Sequence, residues 1–223
     1  MDKLVRKIEV PLARNAIEKA GLYIVQKKDL DRLAEVAADA YENYPLHNWF
    51  TKGKYDKKAS KILMQITLRT MTEDAIIYAD SEEMNGFAAW LPFGFTGNKA
   101  IPFLKSGGLK LILHSGFGII SRLSAYEKYA MNLKKEFTDN YDWYLFNLSV
   151  KKDAQGKGLA SKLMKPMLQF CDNEKMVAYL ETNKAENVGL YNHYGFELKK
   201  EELIPKTTVM HYAMVRKPIE NNK

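Results

Sequence analysis

The chain holds a single cysteine, Cys171, in 223 residues. An intramolecular disulfide is excluded, and with it one mark of a small secreted scaffold. Long apolar runs are also missing. The most apolar stretch, Ile101 to Ile120, is broken by Lys105, Lys110, His114 and several glycines. It falls short of the ~20 apolar residues of a membrane-spanning helix. The opening residues, Met1-Asp2-Lys3-Leu4-Val5-Arg6-Lys7, lack the apolar segment of a secretory signal. These absences predict a cytoplasmic, soluble protein with no membrane partner. There is no internal repeat, low-complexity tract or Pro/Gly/Ser linker, and no metal-ligand spacing. No arginine-rich tract appears either, so a nucleic-acid partner is not expected.

What is present favours a packed domain. Hydrophobic residues make up 46% of the chain, enough for a sizeable core. The formal net charge is +7. Most lysines read as solvated surface. Lys151, Lys152, Lys157, Lys162 and Lys165, however, fall in one short segment opposed only by Asp153. That focus suits a small polyanion better than a long nucleic-acid groove.

Periodicity predicts one domain over residues 21–218, preceded by an arm or helix over 1–20 and followed by a frayed tail over 219–223. Leu22 to Gln26 reads as a first strand. Asp29 caps a helix running to about Tyr41, and Lys57 to Met71 is a second helix. Ala75 to Ala79 and Gly86 to Leu91 read as paired strands, with Pro92 to Gly97 ending the hairpin. Gly108 to Phe137 is mostly helical, broken near Ser115, Gly116 and Gly118. Then follow a buried strand (Trp143 to Val150), a helix (Gly156 to Asp172) and a strand (Val177 to Glu181). A short helix (Asn187 to Tyr194), a strand opening at Gly195 and a last strand (Thr208 to Val215) complete the chain. This order predicts a mixed α/β fold, a central sheet flanked by helices.

The strand ending at Val150 runs into a glycine-rich loop and then a helix. Glycines let backbone approach a ligand closely. The first helical amides have no internal partner and carry partial positive charge. Such a junction is a ready anion cradle. It matches neither the G-x-x-x-x-G-K-S/T phosphate loop nor the dinucleotide fingerprint. Physics alone leaves a tight strand-to-helix turn as an equal alternative.

The loop Gln155-Gly156-Lys157-Gly158-Leu159-Ala160 resembles the Q/R-x-x-G-x-G/A pattern of the GNAT superfamily of N-acetyltransferases. Tyr144 to Val150 resembles the preceding strand, and Tyr179-Leu180-Glu181-Thr182 the next one. Asn187 to Phe196 resembles the N-x-x-x-Y-x-x-x-G-F segment that follows. The run from Trp143 to Phe196, with Pro166 inside its helix, looks most like the puromycin acetyltransferase-like branch. Asp142 stands where many relatives carry a histidine. The likeness extends over roughly residues 141 to 216, and more loosely over 22 to 92.

The resemblance implies direct transfer of an acetyl group from acetyl-CoA to a primary amine of a small molecule or peptide. A longer acyl chain, or a non-catalytic acyl-CoA-binding sensor, remains an alternative. It implies a cofactor site of Leu148, Ser149, Val150, Gln155, Gly156, Lys157, Gly158, Leu159, Ala160, Ser161, Asn187 and Tyr191. Backbone amides near Leu148 to Val150 would be free because the family's central strand parts from its neighbour there. Tyr191 matches the family's general acid, and its phenol can protonate a departing thiolate; a packed aromatic is the plain alternative. Glu181, at the carboxyl end of a strand, is the candidate base, or else a carboxylate paired with a lysine or a helix end. Asn187 is a cofactor ligand, a helix N-cap, or both. His47 sits where relatives place acceptor-site residues. Cys171 reads as core, with no base beside it. The run from Pro92 to Tyr141 forms an acceptor lid, core packing or a homodimer contact; the residues leave these open.

Overall fold

The computed structural model describes residues 2–72, 74–92, 103–138 and 142–219, with side chains from residue 9 onward. Most of the expected turn from Pro92 to Gly97, and the tail beyond Ile219, lie outside the described residues. Seven strands form one sheet: β1 (Tyr23–Ile24), β2 (Ile76–Ala79), β3 (Gly86–Leu91), β4 (Asp142–Val150), β5 (Val177–Thr182), β6 (Glu197–Leu203) and β7 (Met210–Arg216). Their spatial order is β1-β2-β3-β4-β5-β7-β6. Among the described residues β4 and β5 run parallel and every other neighbouring pair is antiparallel. This is the predicted mixed α/β architecture.

Helices cover both faces of the sheet. On one face lie α1 (Asp2–Lys19) and α7 (Leu159–Asn173). There Ile17, Leu163, Met164, Met167 and Cys171 pack against Tyr78, Trp90, Trp143 and Leu180. A fully buried side chain such as Ile17 contributes roughly 1.5–3 kcal/mol. Buried polar atoms on this face are chained together: Trp90 Nε1 donates to Tyr78 Oη at 3.0 Å, and Tyr78 Oη donates to the Leu163 carbonyl at 2.7 Å.

The opposite face carries α2 (Leu30–Ala40) and α4 (Lys57–Met71). Leu33, Ala34, Ala37, Met64 and Leu68 pack there on Ile77, Phe87 and Ala89. The N-terminus of α4 is capped by Asp56, whose carboxylate accepts from the Ala59 amide at 2.9 Å. The expected cap of α2 is a correction. Asp29 makes no cap bond to that helix; its carboxylate accepts from the Gln26 amide and from the Tyr23 hydroxyl, both at 2.9 Å. It therefore fastens the loop behind it.

The same face holds the short α3 (Pro45–Phe50), then α5 (Leu109–Ser115) and α6 (Gly118–Phe137). A π-helical turn, Leu104–Gly108, leads into α5. Lys134 of α6 donates to Asp142 at 2.7 Å, with side-chain exposures of 9% and 0%. That ion pair anchors α6 to β4. The last helix is α8 (Ala185–His193).

Candidate active site

The site begins where two strands separate. β4 and β5 are paired from Asp142↔Val177 to Leu145↔Leu180, and no further. β4 continues alongside β3 to Val150, and β5 continues alongside β7 to Thr182. A register shift in β3 between Ala89 and Trp90 accompanies the parting. One edge of Phe146 to Val150 is left with no strand partner. Leu148, Ser149 and Val150 all lie on it.

The glycine loop follows at once. The predicted helix from Gly156 begins instead at Leu159, because Gly156 and Gly158 adopt φ of +75° and +78° and Gly158 is the N-cap. Both glycines have open space where a Cβ would stand. The amides of Gly156, Lys157, Gly158, Leu159, Ala160 and Ser161 have no acceptor among the described residues; the first bonded amide is that of Lys162, to the Gly158 carbonyl. Six successive free donors at a helix N-terminus, beside the free edge of β4, form an anion cradle with an adjoining slot. Gln155 braces the loop through Nε2 to the Val150 carbonyl at 3.1 Å. Ser161 Oγ lies 2.9 Å from Tyr194 Oη. Coenzyme A requires a pyrophosphate cradle and an extended groove for its arm, and these residues fit both.

Tyr191 of α8 is buried in the same core as α7, near Phe196. Its hydroxyl makes no hydrogen bond among the described residues. Burial, then the neighbouring Tyr44, pushes its pKa up, so the phenol keeps its proton. Asn187 is not the cap of α8, because that position belongs to Lys184. Its side chain donates to Thr182 Oγ1 at 3.0 Å. Thr182 Oγ1 lies 3.0 Å from Tyr44 Oη, which accepts from the Asn183 amide at 2.9 Å. This chain ties α8 and the end of β5 to Tyr44, just before α3.

Glu181 lies on the other face of the sheet, with its side chain 4% exposed. Three phenols donate to it: Tyr179 at 2.8 Å to Oε1, and Tyr126 and Tyr144 at 3.3 Å to Oε2. Among the described residues no lysine or helix end pairs with it. His211 Nε2 stands 4.0 Å away, and both nitrogens of this buried ring lack partners. Desolvation pushes the His211 pKa down.

Glu181, Tyr126 and Tyr144 floor a cavity of about 220 Å³. Tyr41, Tyr44, His47 and Phe50 form one wall, Leu63 and Ile66 of α4 another, and Phe103, Leu123 and Met131 the roof. His47 is buried, stacks on Tyr41 at 4.1 Å and lies 2.8 Å from Ser60 Oγ through Nδ1. Desolvation pushes its pKa down to about 3. The structure thus brings Leu148 to Val150 and Gln155 to Ser161 together, and links Asn187 to the cavity wall through Thr182 and Tyr44. Glu181 and Tyr191 stand on opposite faces of the sheet, and the parting of β4 from β5 opens between these faces. Sequence reasoning gave no role to Tyr41, Tyr44, Tyr126, Tyr144 and His211. Cys171 is buried with its pKa pushed up, as expected of a core thiol. Among the described residues no cluster of His, Cys, Asp or Glu could hold a metal ion, and no helix is long and apolar enough to cross a membrane.

Residues 116–198 match the family model described as the acetyltransferase (GNAT) domain. Over that segment the chain is similar to GNAT acetyltransferases. It is 23% identical to an uncharacterized N-acetyltransferase of Schizosaccharomyces pombe over 89% of this chain and 84% of that protein. Its fold resembles a histone acetyltransferase HPA2-related structure from Corynebacterium glutamicum, with a TM-score of 0.59, 17% identity and coverage of 91% and 98% of the two chains. It also resembles arylalkylamine N-acetyltransferase 2 from Aedes aegypti, with a TM-score of 0.57, 20% identity and coverage of 88% and 97%. The chain is an acetyltransferase. Likeness to these solved structures establishes the fold.

Proposed function

We propose that the protein is an acetyl-CoA-dependent N-acetyltransferase acting on a primary amine by direct transfer. The parting of β4 from β5 beside six unpaired loop amides carries this reading. Gly156 to Ser161 would hold the pyrophosphate, with Lys157 adding charge and Gln155 keeping the loop in shape. The free edge at Leu148 to Val150 would pair with the pantetheine arm and the thioester carbonyl. Bound there, the cofactor supplies an activated acetyl thioester. Glu181 draws the acceptor ammonium and takes its proton. Tyr191 would supply a phenolic proton to the departing thiolate, and its phenolate would recover the proton released by the acetylated nitrogen. Asn187, through Thr182 and Tyr44, fixes the geometry between the two. A place in the puromycin acetyltransferase-like branch rests on the run from Trp143 to Phe196 and on Pro166. Arylalkylamine N-acetyltransferase 2, similar in fold, is named for the kind of acceptor proposed for this chain.

Thermal unfolding with and without acetyl-CoA tests the cofactor. A ligand of the folded state at about 100 times its Kd adds about 2.7 kcal/mol. For a chain of this size that is roughly 5–10 °C in Tm. Gly158→Glu puts a carboxylate at the cradle and a side chain where φ is +78°, and it should abolish the shift. A wild-type protein whose Tm ignores acetyl-CoA at both low and moderate salt defeats the proposal.

A further inference from the structure

We infer that the acceptor is a monoamine with one compact aromatic or branched apolar body, held in the cavity above Glu181; this rests on the N-acetyltransferase reading. Size is the first argument. A dry cavity of about 150 Å³ accommodates benzene. A cavity of about 220 Å³ therefore takes a single ring and a short aminoalkyl arm. A folded peptide segment with its own backbone polar groups does not fit such a space.

Polarity is the second argument. The sheet end of the cavity carries Glu181 and the phenols of Tyr44, Tyr126 and Tyr144, whereas the helical walls present Leu63, Ile66, Phe103, Leu123 and Met131. A buried cation must be paired and hydrogen-bonded. Glu181 supplies the anion, and aromatic faces around it add cation–π attraction. The other carboxylate at the wall, Glu127, already has a partner of its own. A second ammonium, as in a polyamine, would be desolvated against leucine and isoleucine.

The roof is also fixed by sequence. A Cβ on Gly108 would come within 2.2 Å of Phe103 Cε1 and 2.5 Å of its Cδ1, so glycine is what lets the ring lie over the cavity. Gly107, at φ +119°, turns the chain just before it. The Phe103 wall is thus a product of the Gly107-Gly108 pair and sets the length of acceptor the cavity takes.

The test uses the full chain, acetyl-CoA and free-thiol release, with 2-phenylethylamine, 3-methylbutylamine, spermidine and a lysine-containing peptide as acceptors. The two apolar monoamines should exceed spermidine and the peptide in kcat/KM by about tenfold or more. Gly108→Ala, which displaces Phe103, and Met131→Trp, which fills the cavity from a half-buried position, should each cut the 2-phenylethylamine value by about tenfold. Both variants should keep the acetyl-CoA shift in Tm. A preference for spermidine or the peptide overturns the acceptor class. So does 2-phenylethylamine that neither turns over nor raises the Tm of the CoA-bound protein, or a rate unchanged in both variants. An absent acetyl-CoA shift in the wild type brings down the underlying reading instead.

Discussion

His47 tests the electrostatics of the cavity without reference to turnover. Its ring is sealed between Tyr41 and Phe50 and bonded to Ser60, and desolvation pushes its pKa to about 3. In the unfolded chain an imidazole titrates near 6.5. Below that pH the unfolded chain takes up a proton that the folded chain refuses until about pH 3. The unfolded state then binds more protons, so stability falls as pH falls. The contribution is complete above about pH 6.5 and is lost progressively between pH 6.5 and 3. At pH 5 the unfolded imidazole is about 1.5 units below its midpoint and the folded one is still neutral. At about 1.36 kcal/mol per unit the loss between pH 7.5 and 5 is about 2 kcal/mol. His47→Asn keeps a polar partner for Ser60 and removes the titration. Urea unfolding at both pH values should show wild type losing about 2 kcal/mol more than His47→Asn, since carboxylates and His211 cancel in the subtraction. Equal losses in the two proteins would refute the buried, neutral imidazole.

The remaining expectations concern the acid and an anchor of α6. Tyr191→Phe should lower kcat by roughly 100-fold and leave the acetyl-CoA shift in Tm intact; full activity near neutral pH removes Tyr191 from the chemistry. Lys134→Met leaves Asp142 as a buried, unpaired charge and should cost about 3–5 kcal/mol in denaturant unfolding. The double variant Lys134→Met with Asp142→Leu should recover most of that loss. A single-variant cost under about 1 kcal/mol would mean the pair does not anchor α6 to β4.

Much of the fold was legible because its signals are local. The boundaries of α4 and β3 follow directly from apolar periodicity, and both strands of the hairpin were placed within a residue. Short or context-bound features were not. The six residues of α3 are too few to show a period. Asp29 looked like the cap of α2, but its carboxylate finds better partners in the Gln26 amide and the Tyr23 hydroxyl. The start of α7 was placed three residues early, because two glycines at positive φ look like helix in a sequence and act as a loop in space.

The two halves of the site differ in legibility for a physical reason. Backbone would supply the proposed cofactor side: amides of one loop, one strand edge and one helix start, all within residues 148–161. A few glycines in register suffice to encode it, so a short motif reveals it. Side chains supply the acceptor side, and they converge from α3, α4, α6, β4 and β5. Tyr44, Tyr126, Tyr144 and Glu181 are scattered along the chain, and Tyr44 stands 138 positions from its Thr182 partner. No local spacing can announce such a group, since each tyrosine taken alone satisfies the packing requirements of its own element. What unites Tyr126 and Tyr144 is one buried carboxylate that needs donors on both oxygens. Glu181 at the end of β5 was visible in the sequence; the phenols that answer it become visible only once the sheet and its helices bring them within 3.3 Å.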